Sequence, residues 1–385
     1  WPLAILTTAI AALGVLQLYS VAGGSFTPWA SPQIKRFILG FLLMLLVGMM
    51  PIWFWRSVSS LAYLGALGLL LFVEFFGAVG MGAKRWIDLG FMNLQPSEVM
   101  KIALIMAIAS YYDWLPLEKT SKLIWVILPA VIILLPTALV LKQPDLGTAI
   151  LLSAGGAVVM FLAGVHWAYF ITMITAGIGL ISIVFQSRGT SWQMLKDYQF
   201  KRIETFLDPT NDPLGAGYNI IQSKIALGSG GWSGRGFMQG TQSRLNFLPE
   251  KHTDFIFTTL AEEFGFIGIA LILALSMVLV FKALMLGKKA LAKEKFFEAF
   301  FAYAIGIWVC FQAAVNVGAS AGIVPTKGLT MPLISYGGSS MIIMTLAMVI
   351  LIRIDHELRM QSIQATSSKR KTRKLREKSR GDNDK

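Results

Sequence analysis

Long uninterrupted runs of apolar residues constrain this chain more than any other feature of its sequence. A helix needs about 20 apolar residues to cross the hydrocarbon core of a bilayer, and inside that core every backbone polar group must find a partner within the protein. Ten runs approach that length, and 55% hydrophobic residues exclude an ordinary soluble globule. The runs lie at 2–22, 37–55, 58–79, 98–112, 123–141, 146–164, 167–186, 255–281, 297–318 and 332–353. The sequence therefore predicts an all-α polytopic membrane protein with about ten transmembrane helices.

The polar stretch at residues 187–254 separates the seventh run from the eighth and predicts one large loop. An even number of spans places both termini on the same side, and the basic C-terminal end indicates that this side is the cytoplasm. The loop is then extracytoplasmic. No basic segment precedes the first run, so we expect a span there rather than a signal peptide, and an N-terminus that has been trimmed.

Much of the formal charge of +13 lies in the last 25 residues. We predict a transmembrane domain over residues 1–360 and a basic, disordered cytoplasmic tail over 361–385. Beside a bilayer such a tail favours contact with anionic lipid; the alternative interpretation is a nucleic-acid-binding arm.

Charged residues at the outer ends of two spans are candidates for a binding site. Lys84 and Arg85 stand beside Trp86 and Asp88, a combination suited to gripping a phosphate near the headgroups. The alternative is an aromatic anchor with cations that reach the interface.

Two further segments bring polar groups into apolar runs. Glu98 and Lys101 are three residues apart on one helix face, which predicts a buried ion pair lining a polar cavity rather than only an intrahelical salt bridge. Asp145 begins the sixth run, where it suits both a helix N-cap and a site residue facing the outer compartment.

Residues 251–254 gather a cation, an imidazole, a hydroxyl and a carboxylate just before the eighth run: Lys251, His252, Thr253 and Asp254. One interpretation makes Asp254 or Thr253 the N-cap of the following helix, a role worth about 1 kcal/mol. The other makes Asp254 a general base at the boundary between water and lipid.

Prolines and glycines interrupt the segment between residues 325 and 340, which contains Lys327 and Ser335. Irregular backbone at membrane depth occurs where it lines a cavity or is buried in protein. We therefore add both residues to the candidate site.

The three histidines are scattered, and the sequence shows no dedicated metal-ligand set. A divalent cation such as Mg²⁺ or Mn²⁺ that assists at Asp254 stays open as a cofactor. The single cysteine, Cys310, cannot form an intramolecular disulfide.

Six motifs in this order resemble the SEDS family of bacterial cell-wall polymerases, over about residues 10–360. They are Lys84-Arg-Trp-Ile-Asp-Leu-Gly, Gln95-Pro-Ser-Glu, Gln143-Pro-Asp-Leu-Gly-Thr, Gly240-Thr-Gln-Ser, Leu248-Pro-Glu-Lys-His-Thr-Asp and Ile334-Ser-Tyr-Gly-Gly-Ser. Gln242 and Ser243, in the fourth motif, join the candidate substrate-binding residues. The loop motif beginning at Tyr218 resembles the RodA branch of the family, whereas the segments at 325–340 and 353–355 resemble the FtsW branch. We favour RodA, and hence cell elongation, on the loop.

The resemblance implies a glycosyltransferase that polymerises lipid II, a polyprenyl-diphosphate disaccharide-peptide, into β-1,4 glycan strands at the outer face of the cytoplasmic membrane. It matches Asp254 to the family's catalytic aspartate and implies an inverting reaction. It also implies a partner, a class B penicillin-binding protein that acts as the transpeptidase. Two other function classes stay open on the residues alone: a lipid II flippase and a non-catalytic scaffold.

Overall fold

The computed structural model describes residues 2–80, 83–90, 92–190, 217–245, 247–324 and 328–383, with single residues at 193, 200, 204 and 208. Twelve α-helices occur within this part of the chain. They are α1 (Pro2–Val21), α2 (Ala30–Met49), α3 (Ile52–Phe76), α4 (Pro96–Trp114), α5 (Leu123–Lys142), α6 (Leu146–Leu162), α7 (Trp167–Gln186), α8 (Tyr218–Ser229), α9 (Thr241–Arg244), α10 (Ile256–Leu291), α11 (Phe296–Ser320) and α12 (Gly338–Asn383).

Each of the ten predicted spans coincides with a helix, which confirms the helical polytopic fold. Eight helices are long and apolar enough to cross a membrane: α1, α2, α3, α5, α7, α10, α11 and the Gly338–Gln364 part of α12. The other two predicted spans are α6, which has 17 residues, and α4.

Helix α4 lies at the centre of the bundle, and this position explains its weak hydropathy. It contacts α3, α6 and α11, and its residues from Lys101 to Met106 are all buried. Helix α7, by contrast, has no buried residue and lies at the periphery. Because neighbouring helices rather than lipid surround α4, it tolerates charged residues that a lipid-facing helix would not.

A small antiparallel sheet connects α3 to α4, where the sequence predicted no strand. Its strands are β1 (Ala78–Gly80), β2 (Ala83–Asp88) and β3 (Asn93–Leu94), in the order β1-β2-β3. The strands are too short to give a clear alternating pattern. The sheet places Lys84 and Arg85 on β2, beside the start of α4.

Helix α10 is broken at Gly265, inside a run predicted as one continuous span. The Gly265 backbone has φ 63° and ψ −162°, and a Cβ atom there would lie 2.3 Å from the amide nitrogen of Gly234. Glycine alone fits such a position without strain. The loop replaces part of the lost helical bonding, since the Arg235 N–H donates to the Glu262 carbonyl at 3.0 Å. The half-helix at 256–264 is therefore held by the extended loop that precedes it.

The C-terminal segment corrects one prediction. Helix α12 continues from Gly338 to Asn383, so residues 361–383 are helical where a disordered tail was predicted. The residues that follow the span are good helix formers, and no proline or glycine interrupts them before Gly381.

Candidate active site at the start of helix α10

Asp254 lies in the turn that immediately precedes α10. The N-cap of the helix is Phe255, and no side chain caps it, so the interpretation in which Asp254 or Thr253 caps α10 is wrong. The Asp254 carboxylate instead accepts a hydrogen bond from the backbone N–H of Gly328. Its oxygens are thus directed at another segment of the chain and not at the helix it precedes.

The environment of Asp254 raises the pKa of its carboxyl to about 6. Burial is the main cause, and the negative charges of Glu250 and Asp145 act in the same direction, while the hydrogen bond from Gly328 opposes them. Such a group is largely ionised at pH 7 yet accepts a proton more readily than an exposed aspartate. This proton affinity suits a general base that works near neutral pH.

Two buried side chains hold the backbone of this turn against the segment at 328–335. The Asn316 amide donates to the Asp254 carbonyl at 3.1 Å and to the Leu329 carbonyl at 2.8 Å. The Ser335 hydroxyl donates to the Thr253 carbonyl at 2.7 Å. Ser335 is only 4% exposed and positions the turn; its contact with a substrate stays a prediction. Asn316 was not identified from the sequence.

His252 is part of a stack of four side chains from distant parts of the chain. Its ring stacks on Trp29 at 4.6 Å and lies 5.8 Å from the ring of Tyr336, over which Arg36 sits at 4.7 Å. Burial lowers the pKa of His252, more than the nearby Glu250 raises it. His252 is therefore neutral at pH 7 and adds no positive charge to the site.

Lys251 and Arg244 line a cavity of about 290 Å³ between the α1–α2 connection and α9. Trp29 and Ser243 also line it. The Lys251 ammonium donates to the Ser243 carbonyl, and burial lowers the pKa of Lys251. Lys251, which lines the cavity, is three residues before Asp254 in the chain. The cavity is polar and has room for part of a substrate.

Asp145 both caps α6 and faces Asp254. The Asp145 carboxylate accepts hydrogen bonds from the Thr148 backbone N–H at 3.1 Å and from the Gln95 side-chain amide at 3.2 Å. Its negative charge helps to raise the pKa of Asp254. Arg85 holds the same turn through hydrogen bonds of 2.7 Å to the carbonyls of Gln143 and Pro144. The expected N-cap role of Asp145 is confirmed, and its role as a site residue stays a prediction.

Four cations among the candidate site residues, Lys84, Arg85, Lys101 and Lys327, are only partly available for binding an anion. Two N–H groups of Arg85 donate to backbone carbonyls, and Lys101 is buried. Lys84 is exposed on β2 and has no hydrogen bond or ion pair among the described residues. Lys327 lies outside the described residues.

Glu98 and Lys101 form the predicted buried ion pair, with 2.6 Å between Nζ and Oε1. The Lys101 ammonium also lies 4.9 Å from the centre of the Trp308 ring. The two residues line two separate small cavities rather than one polar cavity: Glu98 faces Thr330 and Ser335, and Lys101 faces apolar side chains of α4 and α6. The pair holds the core of the bundle beside the segment that contacts Asp254.

Gln242 and Ser243 are engaged by Glu262 from the half-helix. The Glu262 carboxylate accepts from the Gln242 N–H at 2.9 Å, the Ser243 N–H at 3.4 Å and the Thr241 hydroxyl at 3.0 Å. It therefore binds the N-terminus of α9 and fixes this motif to the helix that Asp254 precedes. The backbone N–H groups of Gln242 and Ser243 are thus bound to the half-helix, and Ser243 is buried.

Sequence reasoning missed Glu250, Trp29 and Asn316 as neighbours of Asp254. Glu250 belongs to the motif Leu248-Pro-Glu-Lys-His-Thr-Asp, and its spacing of four residues from Asp254 was an available signal. Trp29, in the connection before α2, and Asn316, on α11, are remote in the sequence and gave none. Within the described residues, no group of three or more His, Cys, Asp or Glu side chains is placed to hold a metal ion.

Comparison with known proteins gives one family match and three similar proteins. The chain matches the cell cycle protein family FtsW/RodA/SpoVE over residues 2–360. It is 42% identical over 332 residues to a probable peptidoglycan glycosyltransferase FtsW of Tolumonas auensis, covering 85% of this chain and 84% of that one. A chain from a peptidoglycan synthase complex, studied for the coordination of polymerization and crosslinking, is 33% identical, with a TM-score of 0.75 and coverage of 92% and 97%. The rod shape determining protein RodA of Thermus thermophilus is 29% identical, with a TM-score of 0.67 and coverage of 93% and 96%.

These similarities correct the predicted branch. The FtsW relative is 42% identical to this chain, whereas the RodA structure is 29% identical. The preference for the RodA branch, and with it for cell elongation, is therefore wrong. It gave too much importance to a Gly-rich loop motif and too little to the segments at 325–340 and 353–355.

Proposed function

The chain belongs to the FtsW/RodA/SpoVE family, which is the SEDS family, and from this we propose that it is a peptidoglycan glycosyltransferase of the FtsW type. It would polymerise lipid II into β-1,4 glycan strands during cell division. The observation that carries the proposal is Asp254, a partly buried carboxylate with a pKa of about 6, held by three separate contacts at the end of a helix that enters the membrane.

The reaction needs one base. An acceptor sugar hydroxyl must lose a proton as its oxygen attacks the anomeric carbon of the donor, and Asp254 takes that proton. The bond from the anomeric carbon to the diphosphate oxygen breaks, and the diphosphate leaves with the electron pair. A single displacement of this kind inverts an α-linked donor to a β product without a covalent enzyme intermediate.

The diphosphate leaving group needs positive charge more than it needs a second carboxylic acid. We assign this role first to Lys84, which is exposed on β2 near the turn that holds Asp145. Lys251 and Arg244, which line the 290 Å³ cavity, are the candidates on the other side of Asp254. A contribution from Lys327 is also part of the proposal, although it lies outside the described residues.

The apolar helices make the chain an integral membrane protein. We place it in the bacterial cytoplasmic membrane with both termini in the cytoplasm and Asp254 on the outer side. The basic segment after the last span supports this orientation. The family match ends at residue 360, so we treat residues 361–385 as a cytoplasmic extension and not as part of the catalytic unit.

We also propose a crosslinking partner, a class B penicillin-binding protein. The similar chain from a peptidoglycan synthase complex supports it, because polymerization and crosslinking are coordinated in that complex. Helix α7, which has no buried residue, leaves most of its surface free for lipid or for a partner's single transmembrane helix.

Polymerisation of purified lipid II tests the proposal. The wild type, together with its candidate transpeptidase, should form glycan strands on a gel that resolves chain length. Asp254→Asn should form none while remaining folded, and Glu118→Gln, which neutralises an exposed carboxylate, should behave as wild type. Strands from Asp254→Asn would refute its role as the base. If neither protein forms strands but both scramble lipid II between the leaflets of liposomes, the chain is a flippase.

A further inference from the structure

A second polar cavity lies at the opposite end of the bundle from Asp254. It has a volume of about 150 Å³ and is lined by the beginning of α1, the last turns of α10 and the stretch of α12 that contains Asp355 and Arg359. Leu3, Met285 and Leu286 form apolar walls, and charged side chains surround the opening. The proposed glycosyltransferase reaction uses none of these residues.

The charges around this cavity favour an anion. Lys282 and Lys289 of α10 and Arg359 of α12 line it together with one carboxylate, Asp355. Arg359 and Asp355 pair at 2.8 Å. Neither lysine makes an ion pair or a side-chain hydrogen bond with any described residue. The lining therefore carries two uncompensated positive charges that face one small space.

The same face of α10 is apolar toward the middle of the membrane. Val278, Lys282, Met285 and Lys289 are spaced by four, three and four residues, so they form one stripe along the helix. Val278 is 43% exposed and the adjacent Phe281 is 59% exposed. An apolar surface thus leads out of a cationic cavity, and this arrangement is complementary to a lipid with an anionic headgroup.

The height of the cavity agrees with a headgroup. Asp355 follows Gly338 by 17 helical residues, which is about 26 Å of helix rise. The segment just before Gly338 holds the Asp254 turn, through Ser335. The cavity and Asp254 are therefore separated by nearly the roughly 30 Å thickness of a hydrocarbon core. The cavity therefore lies at the level of the lipid phosphates in the leaflet opposite Asp254.

We propose that this cavity binds the headgroup of an anionic phospholipid in the leaflet opposite Asp254. Lys282 and Lys289 contact the phosphate, and an acyl chain lies along Val278 and Phe281. Asp355 withdraws Arg359 from the ligand and limits the affinity. Asp355 and Arg359, which the proposed reaction leaves unused, close the cavity on the α12 side.

Native mass spectrometry of the full chain in detergent, titrated with phosphatidylglycerol and separately with phosphatidylcholine, measures this binding. Each phosphate-facing cation near a membrane surface contributes roughly fivefold in affinity. Lys282→Gln with Lys289→Gln should therefore raise the Kd for phosphatidylglycerol roughly 25-fold. The matched control, Lys288→Gln with Lys122→Gln, removes the same charge from exposed positions outside the cavity and should change it less than about twofold.

A third variant, Asp355→Asn, makes the test independent of misfolding. It frees Arg359, so the affinity for phosphatidylglycerol should rise roughly fivefold, a gain that a damaged protein cannot imitate. Equal losses in the two double variants would overturn the site in favour of diffuse attraction to the membrane surface. Equal binding of phosphatidylcholine, or displacement of phosphatidylglycerol by millimolar inorganic phosphate, would overturn the assignment to an anionic lipid.

Discussion

The pH dependence of polymerisation tests the role of Asp254 most directly. With a pKa of about 6, the carboxyl is about 90% ionised at pH 7 and about 10% ionised at pH 5. If Asp254 is the base, kcat/KM should fall about tenfold between these values. A carboxyl at the ordinary value of 3.8 would still be about 94% ionised at pH 5, and the rate would barely change.

Glu250→Gln is the perturbation that identifies the titrating group. After burial, the Glu250 charge is the next largest cause that raises the pKa of Asp254, so its removal should lower that pKa and move the acidic limb of the profile to lower pH. Glutamine keeps an oxygen that can accept from the Thr253 hydroxyl, which lies 3.0 Å from the Glu250 carboxylate. Glu250→Asp keeps the charge and is the matched control.

Initial rates should be measured with fluorescent lipid II from pH 4.5 to pH 8, with wild type and both variants on the same substrate preparation. Titration of the substrate diphosphate is then common to all three curves and cancels in the comparison. A profile that stays flat to pH 4.5 would refute the raised pKa of the base. An acidic limb that moves to higher pH in Glu250→Gln would refute the electrostatic reasoning.

Three further predictions concern stability and positioning. Asp254→Asn should raise the melting temperature at pH 7. Because the pKa of Asp254 is raised in the folded protein, the protonated carboxyl stabilises the fold by on the order of 3 kcal/mol below pH 3.8, and this stabilisation is lost as the pH rises through about 6. The gain in melting temperature that the neutral asparagine gives should therefore vanish in melts at pH 4. Ser335→Ala should lower kcat by tenfold to a hundredfold with less change in KM, as steady-state kinetics will show, because the Thr253 carbonyl loses its hydrogen bond. Gly265→Ala should sharply reduce the yield of folded protein, measured by size-exclusion chromatography, whereas Gly65→Ala, which meets no atom within 4 Å, should not.

The helices were predictable because membrane solvation makes hydropathy a strong signal. Lipid cannot hydrogen-bond to the backbone, so each apolar run had to be a helix. Asp254 was identifiable for a related reason: a carboxylate beside a long apolar run is costly and needs a function or a partner. The break at Gly265 escaped prediction because a single glycine inside an apolar run has no distinctive pattern, and only the approach of Gly234 reveals it.

The roles of the charged residues were predictable only in part. The Glu98–Lys101 ion pair was predicted, whereas the hydrogen bonds of Arg85 to two backbone carbonyls were not. Charge and position along the chain do not distinguish a cation that binds substrate from one that binds carbonyls. Asn316 was hidden for a different reason: its partner Asp254 is 62 residues away, and polar residues in apolar helices have many possible roles.

The contacts that hold Asp254 also determine when the site can exist during synthesis. Asn316, Gly328 and Ser335 all follow Asp254 in the chain, and 82 residues separate Thr253 from Ser335. At about 5–20 residues per second, a ribosome needs roughly 4–16 s to make that segment. Until then the nascent protein has Asp254 but lacks the contacts from Asn316, Gly328 and Ser335. A chain arrested before Asn316 therefore carries the proposed base without any of these three contacts, and such a copy should not polymerise lipid II.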